Sequence, residues 1–108
     1  WMRPELNTGR WRNLFTFGEL ITRKRSSLMV KYTRLYFAGH GMDWWFDNAF
    51  ETSRWSHVVM TRDGADLSLY INGVYAGGGR LAGTVQVTNS QLYVGGRPDE
   101  WEYWAGAL

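Results

Sequence analysis

The side chains of this 108-residue chain that could do chemistry are few and scattered. The densest group is Asp99-Glu100-Trp101-Glu102. Two carboxyl groups held roughly 5–9.5 Å apart can hydrolyse a glycosidic bond. On a strand, Glu100 and Glu102 would share one face, with Asp99 out of phase. The cluster follows Gly95-Gly96-Arg97-Pro98, a run that breaks regular structure, so a solvated loop is the expected setting. His57 has no nucleophile at a recognisable spacing and reads as a hydrogen-bonded structural residue. His40, between Gly39 and Gly41, reads as a solvent-facing loop residue. No catalytic residue is assigned.

Asp43, Asp47, Asn48, Asp63, Asp66 and Asp99 could offer hard oxygen ligands to calcium. They form no compact Asp-x-Asp-x-Asp-Gly run, and Asp63-Gly64 is sufficiently explained as a turn. Calcium is therefore an optional cofactor, and none is required. Gly77-Gly78-Gly79 feeds no helix, so it cannot cradle a phosphate and is expected to turn the chain. Arg23-Lys24-Arg25 is a basic run expected at a solvated hairpin tip.

Aromatic side chains give the better lead. The chain holds 7 Trp, 6 Tyr and 5 Phe, enough for a core with some left for a binding surface. Trp44-Trp45-Phe46 sits beside Asp47 and Asn48, and Trp101 and Trp104 flank Glu102 and Tyr103. Neighbours on a strand face opposite ways, so Trp44 and Trp45 cannot both enter one core. An exposed ring next to amide and carboxylate groups suits a sugar: the ring stacks and the polar groups bind hydroxyls. Trp44, Trp45, Asp47, Asn48, Trp101 and Trp104 are the candidate ligand contacts. The competing expectation is that these rings fill a second layer of core.

The elements that must position them are strands. Helical periodicity is nearly absent, and 13 Gly against 2 Pro punctuate short apolar runs. Trp55–Gly73 carries two alternating segments with Asp63-Gly64 between them and Asn72-Gly73 after them, the strongest short-range hairpin signals. Strands are expected at Trp1–Pro4, Trp11–Phe17, Glu19–Arg23, Ser27–Tyr32, Arg34–Ala38, Asp43–Asp47, Arg54–Arg62, the Leu67–Ile71 run, Thr84–Val87, Gln91–Val94 and from Tyr103. Turns are expected at Asn7-Thr8-Gly9, Gly73–Gly79 and Thr88-Asn89-Ser90. Arg54–Arg62 has apolar residues on both faces, which predicts a central strand.

Composition excludes several classes. A chain of this length forms one domain with one core. Net charge is +2 with the basic residues spread along the chain, whereas nucleic-acid binders concentrate them on one face. There is no cysteine and so no thiol chemistry. No run approaches the ~18 apolar residues of a membrane span.

Trp55-Ser56-His57-Val58-Val59, Asp63-Gly64 and Leu67-Ser68-Leu69-Tyr70-Ile71-Asn72-Gly73 together resemble the central signature of laminin G-like domains of the concanavalin A-like lectin/glucanase superfamily. Leu92-Tyr93-Val94-Gly95-Gly96 resembles a later element of that pattern, Trp104-Ala105-Gly106-Ala107-Leu108 the start of its closing strand, and Trp1-Met2-Arg3-Pro4 its early strand. The resemblance covers residues 1–108. It implies an all-β fold, a two-sheet antiparallel jelly-roll sandwich, here a piece of a longer chain lacking a terminal strand at each end and so leaving an exposed edge. It implies a non-catalytic module that binds carbohydrate or a protein surface through rim loops, within an extracellular or cell-surface protein with other domains. Many relatives hold calcium near a sheet rim. The glucanase branch places its acids on one strand, which would give a hydrolase using Glu100 and Glu102. A structural jelly-roll spacer is the third expectation.

Overall fold

The computed structural model describes residues 1–5, 9–19, 21–39, 41–87, 91–98 and 101–108. The expected turns at Asn7-Thr8-Gly9 and Thr88-Asn89-Ser90, the placement of His40, and Asp99 and Glu100 fall wholly or partly outside these residues.

The described chain is all β, with every strand pair antiparallel. The strands are β1 (Arg3–Pro4), β2 (Arg12–Gly18), β3 (Arg25–Lys31), β4 (Arg34–Ala38), β5 (Trp44–Phe46), β6 (Val58–Asp63), β7 (Asp66–Ile71), β8 (Val74–Arg80), β9 (Leu92–Val94) and β10 (Gly106–Ala107). They form a five-stranded sheet in the order β5-β4-β3-β2-β9, a three-stranded sheet β6-β7-β8, and a β1-β10 pair. This is the sandwich of several antiparallel sheets that the sequence implies.

Tight hairpins set the order. Asn72 and Gly73 have φ of 51° and 81°, the paired left-handed conformation that a two-residue hairpin turn demands, and they join β7 to β8. Asp63 pairs with Asp66 around Gly64, joining β6 to β7. Alternation then buries one face of each sheet. Leu14, Leu28, Val30 and Leu35 of the larger sheet meet Leu69 of the smaller one, with Met2, Ala49 and Phe50. Phe37 packs with Leu67, Leu81, Val85 and Met42.

Several expectations change. Gly77-Gly78-Gly79 is not a turn but the middle of β8. The ring of Phe46 fills the place of a side chain at Gly77: a Cβ there would lie 2.6 Å from Phe46 Cε2. At Gly79 a Cβ would overlap the Trp44 indole. The glycines let two aromatic rings of β5 lie directly on the facing sheet. Arg54–Arg62 does not form a central strand; β6 begins at Val58 and is an edge. Val59, on its second face, is 37% exposed, so the apolar residues there are uncovered instead of buried. The described part of Glu19–Arg23 is not a strand: Thr22 and Arg23 form a turn, with Lys24 N–H donating to Ile21 O at 3.0 Å. Thr84–Val87 makes no ladder; Val85 packs into the core from irregular chain.

Candidate functional site

The outward face of the five-stranded sheet is unlike an ordinary solvated face. Its centre is polar and buried. Asn13, Thr16 and Ser27 are at most 1% exposed, and Arg25 is 4% exposed. A bulge brings them together. The β2–β3 register shifts between Asn13 and Phe15, so Asn13 faces Met29 while Thr16 faces Ser27. Asn13 and Thr16 are three apart, and strict alternation would put them on opposite faces. The extra residue of the bulge puts them on one face and sends Leu14 into the core.

Hydrogen bonds join the group. Thr16 Oγ1 donates to Asn13 Oδ1 at 2.9 Å and lies 2.9 Å from Ser27 Oγ. Arg25 Nε donates to Ser27 Oγ at 2.5 Å, and its Nη2 reaches Asn13 Oδ1 at 3.4 Å and Met29 Sδ at 3.6 Å. The carboxylate of Glu102 caps the cluster, 3.6 Å from Arg25 Nη2 and 3.3 Å from Asn13 Nδ2. The backbone holds Glu102 there: Asn13 N–H donates to Glu102 O at 2.8 Å, Arg12 Nη1 to Tyr103 O at 3.1 Å, and Trp104 N–H to Gly95 O at 2.7 Å. Charge-assisted bonds of this kind offset the cost of burying a guanidinium.

Arg25 is therefore not part of a solvated basic tip, as the run Arg23-Lys24-Arg25 suggested. As the first residue of β3 it points into the sheet face, while Arg23 is exposed with φ 63°.

A cleft of about 130 Å³ opens beside this network, lined by Trp11, Arg25, Met29, Ala38, Asp43 and Glu102. Asp43 Oδ1 accepts from Gly39 N–H at 2.9 Å. A row of rings runs away from the cleft. Trp11 meets Tyr36 edge-on with centroids 4.5 Å apart, and Tyr36 lies 6.0 Å from Trp45. Tyr36 is buried and Trp45 is 51% exposed. The Arg34 guanidinium at the Trp45 end is pushed above its ordinary pKa by a hydrogen bond with Tyr36, then by Asp47.

The six residues singled out in the sequence do not meet in one place. Trp44 turns inward against the core and Trp45 outward, as alternation requires. Asp47 is exposed and ion-paired with Arg34. Asn48 lies in a different cleft, of about 550 Å³, at the loop end of the sandwich with Trp55, Glu51, Arg54 and Asn72. Trp101 is 95% exposed, next to Glu102. Trp104 packs against the core, its indole N–H buried with no hydrogen-bond partner. Sequence reasoning missed Trp11, Asn13, Thr16, Arg25 and Ser27, because a bulge leaves no signal in a period-two pattern.

Among the described residues no group of three or more His, Asp or Glu comes together to hold a metal ion. Asp66 is ion-paired with Arg80 at 2.7 Å, and Asp47 with Arg34. No helix among them is long and apolar enough to cross a membrane.

A family profile described as the concanavalin A-like lectin/glucanases superfamily, of laminin G type, matches residues 1–108. No curated protein matches. Among solved structures, an S-layer domain-containing protein from Clostridium thermocellum ATCC 27405 is similar at 23% identity and a TM-score of 0.36. The match covers 100% of this chain and 56% of that one.

Proposed function

This chain belongs to the laminin G-like branch of the concanavalin A-like lectin/glucanases superfamily, and from that premise we propose that it is a non-catalytic module that binds carbohydrate on the outward face of its five-stranded sheet. At the level of the family the module binds carbohydrate or protein. One observation carries the choice of carbohydrate: an exposed indole, Trp45, continues through Tyr36 and Trp11 to a cleft whose polar groups are Arg25, Asp43 and Glu102. Aromatic surface beside fixed carboxylates and a guanidinium complements a pyranose, with its apolar face and ring of hydroxyls. Trp101, beside Glu102, supplies a second indole at the rim. Trp44 and Trp104 support the site from the core side. The family is typically found on cell surfaces or outside cells, and we place the module there.

The test is a pair of tryptophan variants. Trp45→Ala is expected to weaken binding to a glycan array about tenfold or more, at an unchanged melting temperature. Trp44→Ala is expected to lower the melting temperature first. If no glycan binds the native chain, the proposal fails. If reducing sugar is released, and Glu102→Gln stops the release, the module is a hydrolase instead.

A further inference from the structure

The chain as a whole carries a net charge of +2. The sheet face has a different balance. The cleft is lined by one cation, Arg25, and by two carboxylates, Asp43 and Glu102. Arg25 is already engaged: its Nε donates to Ser27, and its Nη2 lies against Asn13, Met29 and Glu102. Lys31, the next cation along the face, sits over the Trp11 ring with Nζ 4.9 Å from the centroid. Arg34 is held by Asp47. Away from this face, Arg54 pairs with Glu51 at 2.7 Å, Arg80 with Asp66 at 2.7 Å and Arg3 with Glu5 at 2.9 Å. The positive excess of the chain is thus not displayed in the cleft.

Given the carbohydrate reading above, on which this step rests, we infer that the sheet face selects neutral glycans and discriminates against acidic ones. Hydroxyl groups of a neutral sugar donate to Asp43 and Glu102 without requiring either carboxylate to lose its charge. A uronate or sulfate in the same place meets two like charges at the cleft lip, and a single guanidinium that is already engaged. Juxtaposed like charges at a partly desolvated contact disfavour the wrong partner strongly. Stacking on Trp45 is indifferent to ligand charge, so discrimination falls to the cleft, where two carboxylates face one guanidinium.

Calorimetric titration of the whole chain tests this. The probes are neutral β-glucan and mannan hexasaccharides, a hexagalacturonate and a sulfated heparin hexasaccharide, each at low and high salt. A neutral probe is expected to bind with an affinity that salt leaves unchanged, and both acidic probes to bind at least about tenfold more weakly at low salt, with the gap narrowing at high salt as the repulsion is screened. Acidic binding equal to or tighter than neutral, and lost in salt, overturns the selectivity and leaves the carbohydrate reading standing. Binding of none of the four overturns both.

Discussion

Thr16 and Asn13 share a hydrogen bond only because one residue of β2 is looped out between them. Read at period two, the stretch Trp11–Phe17 puts Asn13 with Phe15 and Phe17, and Thr16 with Arg12 and Leu14. Side-chain direction at Trp44 and Trp45 is legible from alternation alone, and they do face opposite ways. The inward turn of Arg25 is not legible: a guanidinium between Lys24 and Ser26 looks like surface until its partners on β2 and at Glu102 are known. The network makes a sharp stability prediction. Thr16→Val keeps the shape but removes a hydroxyl bonded on both sides. It should cost about 1–2 kcal/mol, read as a lower urea midpoint at constant slope. Arg25→Met strips the cluster of its cation and leaves Glu102 beside buried amide and hydroxyl groups. It should cost about 3 kcal/mol, at the lower end of the cost of breaking a buried pair because Glu102 is 30% exposed.

At the scale of elements, β8 and β5 explain each other. Three glycines in a row suggest a turn, and the hairpin chemistry at Asn72-Gly73 is correctly read one step earlier. What the sequence does not display is that the bulk missing from β8 is supplied by Trp44 and Phe46 from the other sheet. Gly79→Ala should therefore destabilise the fold by about 1–3 kcal/mol through overpacking against Trp44. Combined with Trp44→Ala, the cost should be less than additive, because the shortened side chain vacates the space. A double-mutant cycle in denaturant measures the coupling. β6 shows the converse problem. Its apolar residues on two faces argue for a central position, but apolarity records which faces avoid water in the complete setting of a strand, not which edge has a partner. The hairpins between β6, β7 and β8 were legible because turn chemistry is local; the sheet order was not, because it depends on contacts distant in sequence.

The whole molecule has a radius of gyration of 13.0 Å, close to the ~13 Å of a compact domain of about 100 residues. The apolar groove among the described residues is thus local and not a sign of loose packing. A groove of about 420 Å³ runs between the inner faces of β2 and β9 and the edge at β6, lined by Trp1, Met2, Leu14, Phe15, Leu28, Val58, Leu92, Val94 and Leu108. Leu92 and Val94 are 59% and 65% exposed. Among the described residues β9 pairs only with β2, and a contiguous apolar surface beside such an edge favours association. The 108-residue chain should self-associate as its concentration rises, and Val94→Lys should shift sedimentation back toward the monomer at an unchanged melting temperature. The pairing of Arg3 with Ala107 and Pro4 with Gly106 has a mechanical consequence of its own. Because β1 and β10 are antiparallel, the amino end of one lies beside the carboxyl end of the other. Tension applied through both ends would peel this pair open from its outer end and not slide it. The bonds would then bear the load in succession, each with a net worth of about 1 kcal/mol, so a pull transmitted along a longer chain would reach its first yielding point at this short seam.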